Sequence, residues 1–80
     1  MENYQKRIVN EKKELDEKIE KLNKFIVSKK YSELDILERS KLDRQRMAMK
    51  NYSFCLWERI TIFDPYFEHF GLIKQLPNAR

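Results

Sequence analysis

Eighty residues, 38% of them charged and 41% hydrophobic, make one domain at most and suit exposed helices with narrow buried stripes better than a disordered chain. With one Gly and two Pro, both Pro at or beyond Pro65, the chain up to Asp64 holds no strong breaker, which favours long helices over a sheet. The net charge of +4 gathers before Tyr31 and is too thin for a duplex binder, so no duplex nucleic acid is expected; a small anionic ligand or a solvated helix face fits it better.

The first predicted helix covers about residues 2–28. Its apolar stripe is Tyr4, Ile8, Leu15, Ile19, Leu22 and Ile26. The spacing is helical, but a step is missing at Glu11 and Lys12, where a coiled-coil seam should carry an apolar side chain. That gap is either a register device or a polar pocket. Neighbours such as Glu14 with Lys18 and Glu17 with Lys21 each add only about 0.2–0.5 kcal/mol and keep the outer face soluble.

Ser28 to Ser32 is the candidate turn, and Ser32 followed by Asp35 resembles a capping box, which starts the second helix near Glu33. That helix, over about 33–63, carries Leu34, Leu37, Leu42, Gln45, Met49, Tyr52, Leu56, Ile60 and Phe63, with Gln45 as the polar position of the stripe. Asp64 and Pro65 stop it and start a short helix over about 65–70, closed by Gly71. Two long helices with so short a connection must run antiparallel. A two-helix hairpin has no third wall and cannot cover Phe54, Trp57, Phe63, Tyr66, Phe67 and Phe70. The expected architecture is therefore all-α: a long antiparallel helical hairpin plus a short C-terminal helix, one domain over residues 1–80, assembled into an oligomer.

No stretch reaches the length of a membrane span, and the N-terminus lacks a signal-peptide shape. The lone Cys55 excludes a disulfide framework within the chain, points to a reducing cytosol and reads as a small buried hydrophobe. One Gly cannot build a phosphate loop, and His69 and Cys55 offer neither a metal site nor a nucleophile triad. No cofactor, no metal and no enzymatic activity are expected.

What remains is binding. Tyr4, beside the gap at Glu11 and Lys12, can stack on a nucleobase or can plug the end of the hairpin. Lys18 stands about 21 Å along the helix from Tyr4, so the two share a pocket only across two antiparallel copies. On the second helix, Arg59 adjoins Ile60 at the stripe's edge and can reach into an interface. Arg46 and Lys50 read as solvated stems.

The run Asn3-Tyr4-Gln5-Lys6-Arg7-Ile8-Val9, then Glu11-Lys12-Lys13-Glu14-Leu15-Asp16-Glu17-Lys18-Ile19, then Leu22 and Phe25-Ile26, is one block. Leu42, Gln45, Met49, Tyr52-Ser53, Leu56 and Arg59-Ile60 make the other. Together they resemble the small phage hairpin domain shared by the anti-CBASS and anti-Thoeris nucleotide sponges. The anti-Thoeris branch adds a β-rich portion for which this chain has no room, so the anti-CBASS branch is closer. The resemblance implies a phage anti-defence protein in the host cytoplasm, a homo-oligomer of hexameric form. Such a protein binds and sequesters cyclic oligonucleotide second messengers without cleaving them and so blocks CBASS immunity. It implies cyclic dinucleotides held between protomers, stacked by Tyr4 with Gln5 beside it and held by Lys18, with Lys12 as the rival lysine. It implies a separate site for cyclic trinucleotides, with Arg59 as the match. A helical adaptor with no nucleotide ligand is the alternative.

Overall fold

Two long helices lie side by side, α1 (Asn3–Ile26) and α3 (Ile36–Ile60), with the single turn of α2 (Lys29–Ser32) in their connection. The computed structural model describes residues 1–68, and no strand occurs among them. The helices run antiparallel: Ile8 clusters with Leu56 and Ile60, while Lys12, further along α1, meets Ser53, further back on α3. No helix among the described residues is long and apolar enough to cross a membrane.

The seam follows a heptad rhythm on both sides. On α1 it takes Gln5, Ile8, Lys12, Leu15, Ile19, Leu22 and Ile26, all buried or half-buried. On α3 it takes Leu42, Arg46, Met49, Ser53, Leu56 and Ile60. The dry part is at the end near the N-terminus, where Val9, Leu15, Phe63 and Phe67 pack around Ile8, Leu56 and Ile60.

The gap in the α1 stripe turns out to be the most buried polar point of the hairpin. Lys12 is 1% exposed. Its Nζ donates to Asp16 Oδ2 at 2.6 Å and to Ser53 Oγ at 3.0 Å. The Ser53 hydroxyl in turn donates to Asp16 Oδ1. Each member of this knot satisfies the other two. A slip of α3 by one residue would present Tyr52 or Phe54 to Lys12 and leave an ammonium unpaired away from water. Polar groups at seam positions fix register in this way, at some cost in stability. Of the two readings of the gap, the geometry of one chain matches the register device.

Several local expectations are corrected. The polar positions of the second seam are Arg46 and Ser53, not Gln45; Gln45 and Tyr52 lie on the exposed edge beside it. α3 starts at Ile36 rather than near Glu33, because Asp35 is its N-cap and accepts the Glu38 N–H at 2.9 Å. Ser28 caps α2 by accepting the Tyr31 N–H at 3.3 Å. The Tyr31 ring packs edge-on to Phe25 with centroids 6.0 Å apart, and its hydroxyl donates to the Arg39 carbonyl at 3.0 Å, which closes the turn end.

α3 stops at Ile60, short of Phe63. Its last carbonyls are taken up by a tight turn, in which the Ile60 oxygen accepts from Phe63 N–H at 3.1 Å and from Asp64 N–H at 2.9 Å. The expected short helix over 65–70 is a turn at Pro65 and Tyr66 where it is described. There the Phe67 carbonyl accepts the Trp57 indole N–H at 2.9 Å, which ties the segment back onto α3. Residues 69 and 70 of that expectation, with His69 and the closing Gly71, lie outside the described residues. Cys55 is exposed, not buried. It precedes Leu56 by one residue, which turns it about 100° away from the seam.

Candidate ligand-binding face

One flank of the hairpin gathers the candidate residues. Tyr4, Glu11 and Lys18 follow each other at heptad steps and line one edge of α1 beside the seam. Arg59, Tyr52 and Gln45 do the same on α3. The Tyr52 hydroxyl donates to the Glu11 carboxylate across the two helices and links the two rows. By the same heptad steps, Arg59 falls level with Tyr4 and Gln45 level with Lys18. All six side chains are exposed.

Tyr4 is 54% exposed, so it does not plug the hairpin end. Gln5 is half-buried, and its amide is engaged. Its Oε1 accepts the Glu2 N–H at 2.8 Å at the start of α1, and its Nε2 reaches the Tyr4 hydroxyl at 3.4 Å. Gln5 therefore anchors the helix end that carries Tyr4. The Lys18 and Arg59 side chains are exposed and make no hydrogen bond or ion pair with another described residue. Lys12, the rival to Lys18, has its ammonium committed to Asp16 and Ser53. The flank brings Tyr4 and Arg59 to one end and holds Lys18 about 21 Å along α1. No single chain closes Tyr4 and Lys18 around one small ligand.

The charges on this flank feel one another. The hydrogen bond to Glu11, then burial and the Glu11 charge, raise the Tyr52 phenol above its ordinary value of 10.0, against a lowering by Arg59. Sequence reasoning had Glu11 as part of a gap and Tyr52 as a seam residue, and so missed the pair. The signal lay in their heptad steps to Tyr4 and to Arg59.

The opposite flank is different. A cleft of about 390 Å³ opens there between α1 and the segment after α3, with Val9 and Phe67 among its walls. Its charged lining is Asp16, Glu17, Glu20 and Glu68 against Lys13 and the committed Lys12. A phosphodiester entering that cleft would meet mostly carboxylates. Among the described residues no group of three or more His, Cys, Asp or Glu side chains is placed to hold a metal ion.

The model of a protein family described as Sequestin matches residues 2–62, from the N-cap of α1 to just past the C-cap of α3. No curated protein and no solved structure matches the chain.

Proposed function

The chain belongs to the Sequestin family, and from that premise we propose that it binds cyclic oligonucleotide second messengers and withholds them, uncleaved, from CBASS immunity in the host cytoplasm. Sequestins are phage cyclic-nucleotide sponge proteins. The match across both helices is the observation that carries this reading. The flank of Tyr4, Lys18 and Arg59 supports it, since it offers an exposed aromatic ring and two unengaged cations.

In this reading Tyr4 stacks on a base of a cyclic dinucleotide and Lys18 from another protomer meets its phosphate. Gln5 holds the helix end that presents Tyr4. Arg59 serves cyclic trinucleotides. Tyr4 and Lys18 stand about 21 Å apart along α1, so the second wall comes from another copy. Ile62 (83% exposed) and Tyr66 (93%), close together after α3, offer apolar surface for such a partner. The assembly proposed is a hexamer. The adaptor alternative would be favoured by a buried Tyr4, and Tyr4 is exposed.

The test is native mass spectrometry with a panel of cyclic di- and trinucleotides, purine and pyrimidine. The expected result is an even-numbered assembly, a hexamer, carrying intact ligand that is released unchanged on heating. A folded monomer that binds nothing in the panel would overturn the proposal.

A further inference from the structure

We propose that Glu11 selects the base of the bound cyclic dinucleotide, and that the base it selects is guanine. The inference rests on the sponge reading and deepens it. Glu11 stands between Tyr4 and Lys18 on the same edge of α1, about 10 Å along the helix from each. A face that receives phosphates gains nothing from a carboxylate unless that carboxylate accepts hydrogen bonds from the ligand.

The register of the hairpin does not depend on this carboxylate. The buried knot of Lys12, Asp16 and Ser53, one residue further along both helices, already fixes it. The bond from Tyr52 to Glu11 is exposed to water, where a hydrogen bond contributes little to holding two helices together. What that bond does is orient. It engages Oε2 of Glu11 and leaves Oε1 without a partner among the described residues.

An ionised carboxylate only accepts hydrogen bonds, through two oxygens side by side. The Watson–Crick edge of guanine offers two adjacent donors, N1–H and the exocyclic amino group, which match those oxygens. Adenine offers a donor beside an acceptor, and the acceptor faces a carboxylate oxygen unfavourably. A base stacked on a Tyr with its Watson–Crick edge turned along the helix toward Glu11 is read by this difference. Tyr52 is a positioning residue for Glu11.

The experiment is calorimetric titration of the full assembled chain with cyclic di-GMP and with cyclic di-AMP. The wild type should prefer cyclic di-GMP. Glu11→Gln should lower cyclic di-GMP affinity by about ten- to a hundredfold, as expected for lost charge-assisted hydrogen bonds, and leave cyclic di-AMP within about threefold. Tyr52→Phe should narrow the preference by a smaller factor while the mass of the assembly stays the same. Equal wild-type affinities for the two ligands overturn the proposal. So does a Glu11→Gln variant that loses both ligands in parallel, which would make the pair a clasp between helices. In either case retained cyclic di-AMP binding leaves the sponge reading standing. A wild type that binds neither probe but takes a pyrimidine ligand from the panel overturns the guanine assignment alone. Binding of nothing in the panel overturns both.

Discussion

The two flanks of the hairpin are made by the same pair of helices, yet only one suits an anion. The cleft flank is concave, and its charges are mostly carboxylates. The opposite flank carries the exposed Tyr4 ring and the Lys18 and Arg59 side chains, which make no hydrogen bond or ion pair with another described residue. Depth and electrostatics point to different sides. For a ligand whose phosphates carry fixed negative charge, electrostatics decides, because burying a phosphate against carboxylates costs more than shape recovers. In the proposed sponge, a wall from another copy resolves the conflict. The seam between the flanks then has a second task, since any error in register moves Tyr4 and Arg59 out of line.

The largest effect expected from breaking this arrangement is at the knot. Asp16→Ala leaves the Lys12 ammonium buried with Ser53 alone. Unpairing a fully buried charge costs about 3–5 kcal/mol, and the low end applies because the Asp16 side chain is 18% exposed. Urea unfolding monitored by circular dichroism should show the loss. Replacing the pair outright, with Lys12→Met and Asp16→Leu together, should be close to neutral for stability. If the knot sets register, that stable double variant should still lose nucleotide affinity. Full affinity would mean the flanks stay aligned without it.

Next comes the contrast between the flanks themselves. Tyr4→Ala removes a stacking partner worth about 1–3 kcal/mol per base, so cyclic dinucleotide affinity should fall by roughly one to two decades per stacked base while the assembly survives. Glu17→Ala, on the cleft flank, should leave that affinity unchanged. Titration calorimetry on both variants decides. A larger loss from Glu17→Ala than from Tyr4→Ala would move the ligand to the cleft.

How much of this was legible in the sequence depends on the helix. The α1 stripe could be traced because its apolar residues dominate one face, and even its interruption pointed at Lys12. On α3 the apolar spacing leads through Gln45 and Tyr52, one residue away from the seam positions Arg46 and Ser53. The reason is physical: α3 has almost no net amphipathicity, since its seam contains an Arg and a Ser while its outer faces carry Met47, Phe54 and Ile36. A hydrophobicity criterion cannot find a polar seam position that is satisfied only by a partner on the other helix. The start of α3 was misplaced for a similar reason, because Ser32 and Asp35 are both good caps and only the chain's path selects Asp35. The Glu11–Tyr52 pair needed the register before it could be seen at all.

A smaller effect separates the two ends of the candidate flank. Lys18→Ala should weaken cyclic dinucleotides by about tenfold, as expected for one solvent-screened charge-assisted hydrogen bond, and spare cyclic trinucleotides. Arg59→Ala should do the reverse. The register makes this a sharp test, since Arg59 is level with Tyr4 while Lys18 is not. Parallel losses of both ligands in both variants would collapse the flank to a single site.

The smallest effect is the most direct probe of the flank's geometry. The Tyr52 phenol is held above its ordinary value of 10.0, chiefly by the hydrogen bond it donates to Glu11. A phenol whose pKa is higher folded than unfolded contributes stability that is fully present below the unfolded value. That stability is lost as pH rises through the folded value. The hairpin should therefore be indifferent to pH around neutrality on this account and loosen only above about pH 10. Ultraviolet difference titration should show a late component, with Tyr52 ionising above its ordinary value of 10.0. In Glu11→Gln the acceptor's charge is gone, and that late component should move back toward the ordinary range. In Tyr52→Phe it should vanish. A late component that survives Glu11→Gln unchanged would mean that Glu11 does not hold Tyr52.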